Sequence, residues 1–335
     1  MVSTDPPDRF QAVRSDFIDR KVVSHLTTMR VADLSAGEVV VRNRYAGVNY
    51  KDCLAIQGKA KIITAFPRVA GIESVGEVVE SSSGRFRPGQ EVMVHGFQTG
   101  IAFDGGFAEY LRVPAGHLMP LPTGLSQLEA AMIGVPGFTV AMALERFRQL
   151  GITPESGPVA VSGATGAVGM QALLMLSQAG YEVHALSRRA GDGSMLHALG
   201  AAQIVDARPL ADETRPIERP RFAAAIDNVS GPVLSWLLRS LKDDGALASV
   251  GNASGNEFSC NVLPFILRNA TVFGIVASPA WPVRERLWER LASAWRPDLS
   301  RLAPHVNMIR LENLLEHSRN HLEGRTRGRT LIRFD

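Results

Sequence analysis

The sequence predicts an α/β protein: a β-rich domain accompanied by a doubly wound parallel sheet with helices on both faces. Three observations predict it. Short valine-rich runs broken by glycine turns, such as Val39-Val40-Val41 and Glu91-Val92-Met93-Val94, fill the first third. The middle then alternates apolar β runs with Ala- and Leu-rich helical stretches, the pattern of a parallel sheet. Where that alternation begins, the glycine-rich turn Ser162-Gly163-Ala164-Thr165-Gly166-Ala167-Val168-Gly169 joins the apolar run 158–161 to the apolar run 170–179. A chain of 335 residues suits two domains at roughly 150 residues each.

Taken in order, Phe10-Gln11-Ala12-Val13 and the run 39–45 read as strands, with Gly37 as a turn. Asn49-Tyr50-Lys51-Asp52 opens a short helix with Asn49 or Asp52 as its cap, and Lys59, Lys61 and Arg68 lie in the loop beyond. Further turns and strands follow to about residue 125. From Ser126 the composition changes to helix, 128–133 and 138–150, joined through Pro136-Gly137. Strands at 159–161, 182–186, 203–205, 223–226 and 246–250 alternate with helices at 170–178, 194–199 and 233–241, and 272–276 makes a last strand. A helix over 283–295 and a strand from Arg329 to Phe334 end the chain. A strand after the parallel sheet is complete most simply rejoins the first domain.

Composition narrows the class. Hydrophobic residues at 45% and charged residues at 21% are ordinary for a globular protein. The net charge of +3 is small and arginine is scattered along the chain, so no nucleic-acid surface is expected. Two cysteines, Cys53 and Cys260, make no disulfide framework and no zinc cluster, which points to a reducing cytoplasm. Residues 1–8 have no apolar signal core, and no run of about 18 apolar residues occurs, so no membrane association is expected.

The chemistry starts at the turn. Glycines let the backbone approach a pyrophosphate, and a helix N-terminus offers it unpaired N–H groups. A GxxGxxG pattern alone is weak; between a strand and a helix, with further strand–helix units behind it, it predicts a dinucleotide site formed by Ser162, Gly163, Ala164, Thr165, Gly166, Ala167 and Val168. An NAD site usually carries a carboxylate about 20 positions on, at the end of the second strand. Here that end reads Ser187-Arg188-Arg189, which suits a 2′-phosphate and predicts NADPH. The plain alternative is two exposed arginines at a strand end.

Several strings together resemble the acryloyl-CoA reductase (quinone oxidoreductase) branch of the zinc-independent medium-chain dehydrogenases/reductases: Val48-Asn49-Tyr50-Lys51-Asp52, Gly58-Lys59-Ala60-Lys61-Ile62, Gly137-Phe138-Thr139, the 162–169 turn, Pro264-Phe265-Ile266-Leu267-Arg268-Asn269 and Gly328-Arg329-Thr330. The resemblance implies a GroES-like catalytic domain built from residues 1–128 and 278–335, an inserted Rossmann domain over 129–277, and an active site in the cleft between them. It implies cofactor contacts at Tyr50, Thr165 to Val168 and Ser187 to Arg189, with further contacts at Asn252, Ile266, Ala277 and Glu323. It also implies a homodimer. Zinc members carry a Gly-His-Glu string; here Gly71-Ile72-Glu73 stands in that place, and the family's usual aspartate is Glu73. No metal is expected, and Cys53 reads as a small packed side chain.

The expected reaction is NADPH-dependent reduction of the carbon–carbon double bond of a small enoyl thioester such as acryloyl-CoA. Tyr50 and Asn49 are the candidate catalytic groups: the Tyr50 phenol as a donor to the developing enolate oxygen or as a proton source through water, and Asn49 as a second polar orienter. A structural tyrosine is the alternative for Tyr50. Lys59, Lys61 and Arg68 are candidates for an anionic substrate tail, or are simply solvated loop charges. Quinones or other α,β-unsaturated carbonyls are the second choice of substrate, and a non-catalytic nucleotide- or RNA-binding protein on the same fold is the third reading.

Overall fold

The structure, a computed structural model, describes residues 7–211 and 215–335. The chain divides into two compact units, Met1–Val135 with His305–Asp335, and Pro136–Pro304.

The first unit holds a seven-stranded sheet, ordered Val306–Ile309, Arg329–Arg333, Val39–Val48, Glu73–Ser81, Glu91–His95, Met119–Pro120, with Tyr110–Val113 also on Val39–Val48. The terminal strand does rejoin this sheet, running antiparallel to Val39–Val48 with Thr330 opposite Val48. A smaller sheet is made by the hairpin Phe10–Ile18 and Lys21–Met29 with the short strand Arg68–Val69. The second hairpin strand escaped the sequence reading because Lys21–Met29 alternates half-buried with exposed positions and has no continuous apolar run. Between the sheets lies a core of Phe10, Val13, Ala46, Val48, Cys53, Ile56, Val69, Phe107 and Ile332. Cys53 is fully buried there, and burial pushes its thiol up, so it behaves as a packed apolar side chain.

The second unit is a six-stranded parallel sheet ordered Gln203–Asp206, Val183–Ser187, Val159–Val161, Phe222–Asp227, Leu241–Ser249, Thr271–Gly274. The order reverses at Val159–Val161, the switch point beside which open α/β sheets bind ligands. Arg268, in the Pro-Phe-Ile-Leu-Arg-Asn string, is buried and donates to the carbonyls of Arg239, Leu241 and Glu218, which explains an arginine there without any ligand.

The helix Gln127–Gln149 is long and apolar enough to cross a membrane by composition alone. It is broken at Gly134 (φ 48°, ψ −159°), however, and 72% of its apolar window is buried inside the protein, as a core helix would be.

Candidate active site

The glycine turn follows the strand Val159–Val161. Ser162 is buried, and its hydroxyl donates to Asp227 Oδ1 at 2.6 Å while accepting from the Asn228 N–H at 2.8 Å, tying the turn to the neighbouring strand. Burial raises the Asp227 carboxyl above its usual range, partly offset by that hydroxyl. Gly163 sits at φ +56°, and a Cβ at Gly169 would lie 2.3 Å from the Gly163 carbonyl oxygen, so the helix can close on the turn only with glycine there. The twelve-residue helix Ala167–Gln178 then starts behind Gly166, with Ala164 buried and Thr165, Ala167 and Val168 half-buried. This glycine cradle at the head of a full-length helix fits a dinucleotide pyrophosphate.

The second strand ends at Ser187, whose hydroxyl accepts from the Arg189 N–H at 3.1 Å. Arg188 is exposed and Arg189 is half-buried; Asp206, opposite Ser187 on the next strand, is paired with Arg208 at 2.6 Å, so the Ser187 hydroxyl and the Arg188 guanidinium fit a 2′-phosphate. Asn252 is exposed and donates to Asn256 at 2.6 Å, Ile266 is 68% exposed, and Ala277 is half-buried.

In the first unit a polar cluster fixes the start of the helix Tyr50–Ile56. The Asp52 carboxylate accepts from the backbone N–H of Asn49 at 3.0 Å, from its side-chain amide at 3.1 Å and from the Ile72 N–H at 3.0 Å. The same Asn49 amide donates to Glu73 Oε1 at 2.7 Å. Glu73 Oε1 also accepts from the Arg329 guanidinium at 2.8 Å, and Oε2 accepts from the Val135 N–H at 2.8 Å. Arg329 is fully buried and gives further hydrogen bonds to the Ala131 carbonyl and the Asn49 side-chain oxygen. Both Glu73 oxygens are thus engaged by protein donors. Burial, reinforced by the neighbouring Glu73 charge, pushes the Asp52 carboxyl up to about 7 despite its three hydrogen bonds.

Tyr50 is the first residue of the helix so anchored. Its ring lies 6.1 Å from that of His321, and its hydroxyl has no hydrogen-bond partner among the described residues, which leaves the proton available. His321 donates to or accepts from the Thr326 hydroxyl at 2.7 Å; burial, then the adjacent His317, depresses it to about 4, so the ring is neutral at ordinary pH. Glu323 is exposed and paired with Arg325.

Of the three loop cations, Lys59 and Lys61 are exposed and line one pocket. Arg68 is not with them: its guanidinium pairs with Asp104 at 3.3 Å and donates to the Ser35 hydroxyl, and its side chain is only 12% exposed. Sequence reasoning gave Asn49 or Asp52 as the helix cap, and the two cap it together, but it did not find the roles of Arg329 and His321. A signal existed in glycine: a Cβ at Gly47 or Gly134 would come within 2.4 Å of the Arg329 guanidinium and the Glu73 carboxylate, so both glycines make room for that pair.

Comparison with known proteins agrees with both units. The family description "Alcohol dehydrogenase GroES-like domain" matches residues 35–123, and "Zinc-binding dehydrogenase" matches residues 167–293. The chain belongs to the medium-chain dehydrogenase/reductase superfamily. It is 36% identical to the acrylyl-CoA reductase AcuI of Ruegeria pomeroyi, over 93% of this chain and 94% of that one. It is 35% identical to YhfP of Bacillus subtilis, named as a quinone oxidoreductase, over 97% and 99%. The crystal structure of Escherichia coli YhdH with bound NADPH superimposes with a TM-score of 0.93 at 34% identity, over 97% of this chain and all of that one. Within the superfamily, the chain belongs to the branch that holds these reductases. Among the described residues no group of three or more His, Cys, Asp or Glu is placed to hold a metal ion.

Proposed function

We propose that the protein is an NADPH-dependent reductase of the carbon–carbon double bond in a small enoyl thioester such as acryloyl-CoA. The bound cofactor supplies a hydride to the β-carbon, and the α-carbon then takes a proton. The cofactor's pyrophosphate is held by the turn from Ser162 to Val168 and its 2′-phosphate by Ser187, Arg188 and Arg189, with Tyr50, Asn252, Ile266, Ala277 and Glu323 as further contacts. The chain's own contribution to the chemistry is polar. Tyr50 presents a hydroxyl free of internal partners to the thioester oxygen, where negative charge develops, and Asn49 orients the helix start that carries it.

The observation that carries this reading is the anchored arrangement of side chains at that helix start: Asp52, Glu73 and Arg329 hold Asn49, and the Tyr50 hydroxyl is left without an internal partner among the described residues. The named acrylyl-CoA reductase at 36% identity supports the thioester, and the YhdH complex supports the cofactor. Two free thiols, Cys53 and Cys260, agree with a cytoplasmic protein. A homodimer is supported by the edge strand Thr271–Gly274, which pairs on one side only among the described residues, beside exposed Val276, Val262 and Leu267.

The test is NADPH oxidation with acryloyl-CoA by the wild type and Tyr50→Phe. The variant should fold normally and lose about 100-fold in kcat, the usual cost of one oxyanion donor. Unchanged kinetics would remove the phenol from the mechanism.

A further inference from the structure

The thioester reading leaves open how a substrate that is mostly nucleotide is held. In the first unit a pocket of about 770 Å³ opens between the tip of the hairpin Phe10–Ile18/Lys21–Met29 and the loop that follows the helix Tyr50–Ile56. Arg20 and Lys21 come from the hairpin, Lys59 and Lys61 from the loop. No carboxylate lines it, and none of the four cations is in an ion pair among the described residues. The chain uses lysine only five times among its 36 basic residues, so three of its five lysines border this one cavity. Nothing in the fold requires that concentration. The convergence is produced by the hairpin turn, where Asp19 and Arg20 both take positive φ (48° and 64°) and reverse the chain within two residues.

The rest of the lining is apolar. Phe17 is 56% exposed and stacks on Phe66, ring centroids 5.5 Å apart at 28°, and Val22 and Ile63 lie deeper. An exposed phenylalanine backed by the half-buried Phe66 and ringed by ammonium and guanidinium groups outside any ion pair among the described residues matches a planar base that carries phosphates. The aromatic face stacks the base, and the cations bind phosphate oxygens by charge-assisted hydrogen bonds. The other wall leads to Tyr50: the helix Tyr50–Ile56 begins at the anchored Asn49, and Ala55 in its last turn and the C-cap Gln57 line the pocket. Seven helical residues rise about 10 Å, a distance that an extended pantetheine arm covers.

We infer that this pocket is the coenzyme A subsite: it holds the 3′-phosphoadenosine diphosphate of an acyl-CoA on Arg20, Lys21, Lys59 and Lys61, with the adenine against Phe17. The inference rests on the thioester reading for its choice of nucleotide. It also converts two of the loop cations into members of a built site and replaces Arg68 with Arg20 and Lys21.

The experiment uses the full chain saturated with NADP⁺, so that the dinucleotide site is filled, and titrates it calorimetrically with CoA, adenosine 3′,5′-bisphosphate and inorganic pyrophosphate. The triple variant Lys21→Gln/Lys59→Gln/Lys61→Gln, exposed at every position and folded by circular dichroism, should bind CoA at least 30-fold more weakly, since each lost charged contact is worth up to about tenfold. The ratio of kcat/KM for acryloyl-CoA over acryloyl-N-acetylcysteamine, which lacks the nucleotide, should fall by the same factor through KM, and raised salt should mimic the variant. CoA affinity and ratio both unchanged in the folded variant would overturn the subsite while leaving the reductase reading intact. Loss of CoA binding in the variant, with no reduction of either thioester by the wild type, would uphold the pocket and overturn the reductase reading. Pyrophosphate binding as tightly as CoA would show that charge alone is recognised and would overturn the nucleotide assignment.

Discussion

Replacing Asp52 by Asn should change how the stability of the first unit depends on pH. The carboxyl is buried at 1% exposure and is raised from 3.8 to about 7 by burial, so the folded unit keeps its proton across a range in which the unfolded chain has lost it. A raised folded-state value contributes stability that is fully present below about pH 4 and is lost as the pH rises to about 7, at about 1.4 kcal/mol per unit. Over that window the wild type should weaken relative to Asp52→Asn by up to about 4 kcal/mol. His321 works the other way. Its ring is depressed to about 4, so acidification from about pH 6.5 to 4 charges the unfolded chain first and costs up to about 3 kcal/mol. The two slopes therefore oppose each other in the wild type and are exposed by single replacements. All four tryptophans lie in the second unit, so fluorescence would report on the wrong one. Cys53 is fully buried in the first unit, and its protection from 4,4′-dithiodipyridine, which labels exposed thiols at acid pH, in a Cys260→Ser background against urea at pH 4 to 7 reads the correct opening. A constant difference between wild type and Asp52→Asn over that range would refute the buried neutral carboxyl.

Two substitutions probe the remaining polar features. Replacing Arg188 and Arg189 together by Ala should weaken NADPH by about 100-fold and NADH by less than about threefold, because only the 2′-phosphate loses its charged donors; equal losses in a fluorescence titration would refute the reading of that strand end. Arg329→Met should destabilise the first unit by about 3–5 kcal/mol in the same Cys53 protection assay, since Glu73 would be left buried without its cation. A loss below about 1 kcal/mol would show that the pair is dispensable.

Much of this was legible in the sequence for identifiable reasons. The 162–169 turn was readable because its constraints are local: a strand, positive φ at Gly163 and a close approach at Gly169 each demand glycine at a fixed spacing. The polar cluster was not, since Asn49, Glu73 and Arg329 meet only after residues 280 positions apart pair in one sheet. Arg68 shows the converse. Its place beside Lys59 and Lys61 in the chain suggested a shared role, but the strand Arg68–Val69 turns it toward Asp104. Arg20 and Lys21 were invisible as site residues because the hairpin that carries them to Lys59 and Lys61 was itself only half recognised.

The most direct test of the proposed activity is steady-state NADPH oxidation with acryloyl-CoA beside simple quinones and enones at equal cofactor saturation. A kcat/KM for acryloyl-CoA at least tenfold above every quinone, with propionyl-CoA as product, is the expected result. A quinone with the higher specificity constant, or NADPH binding without turnover of any activated alkene, would contradict it.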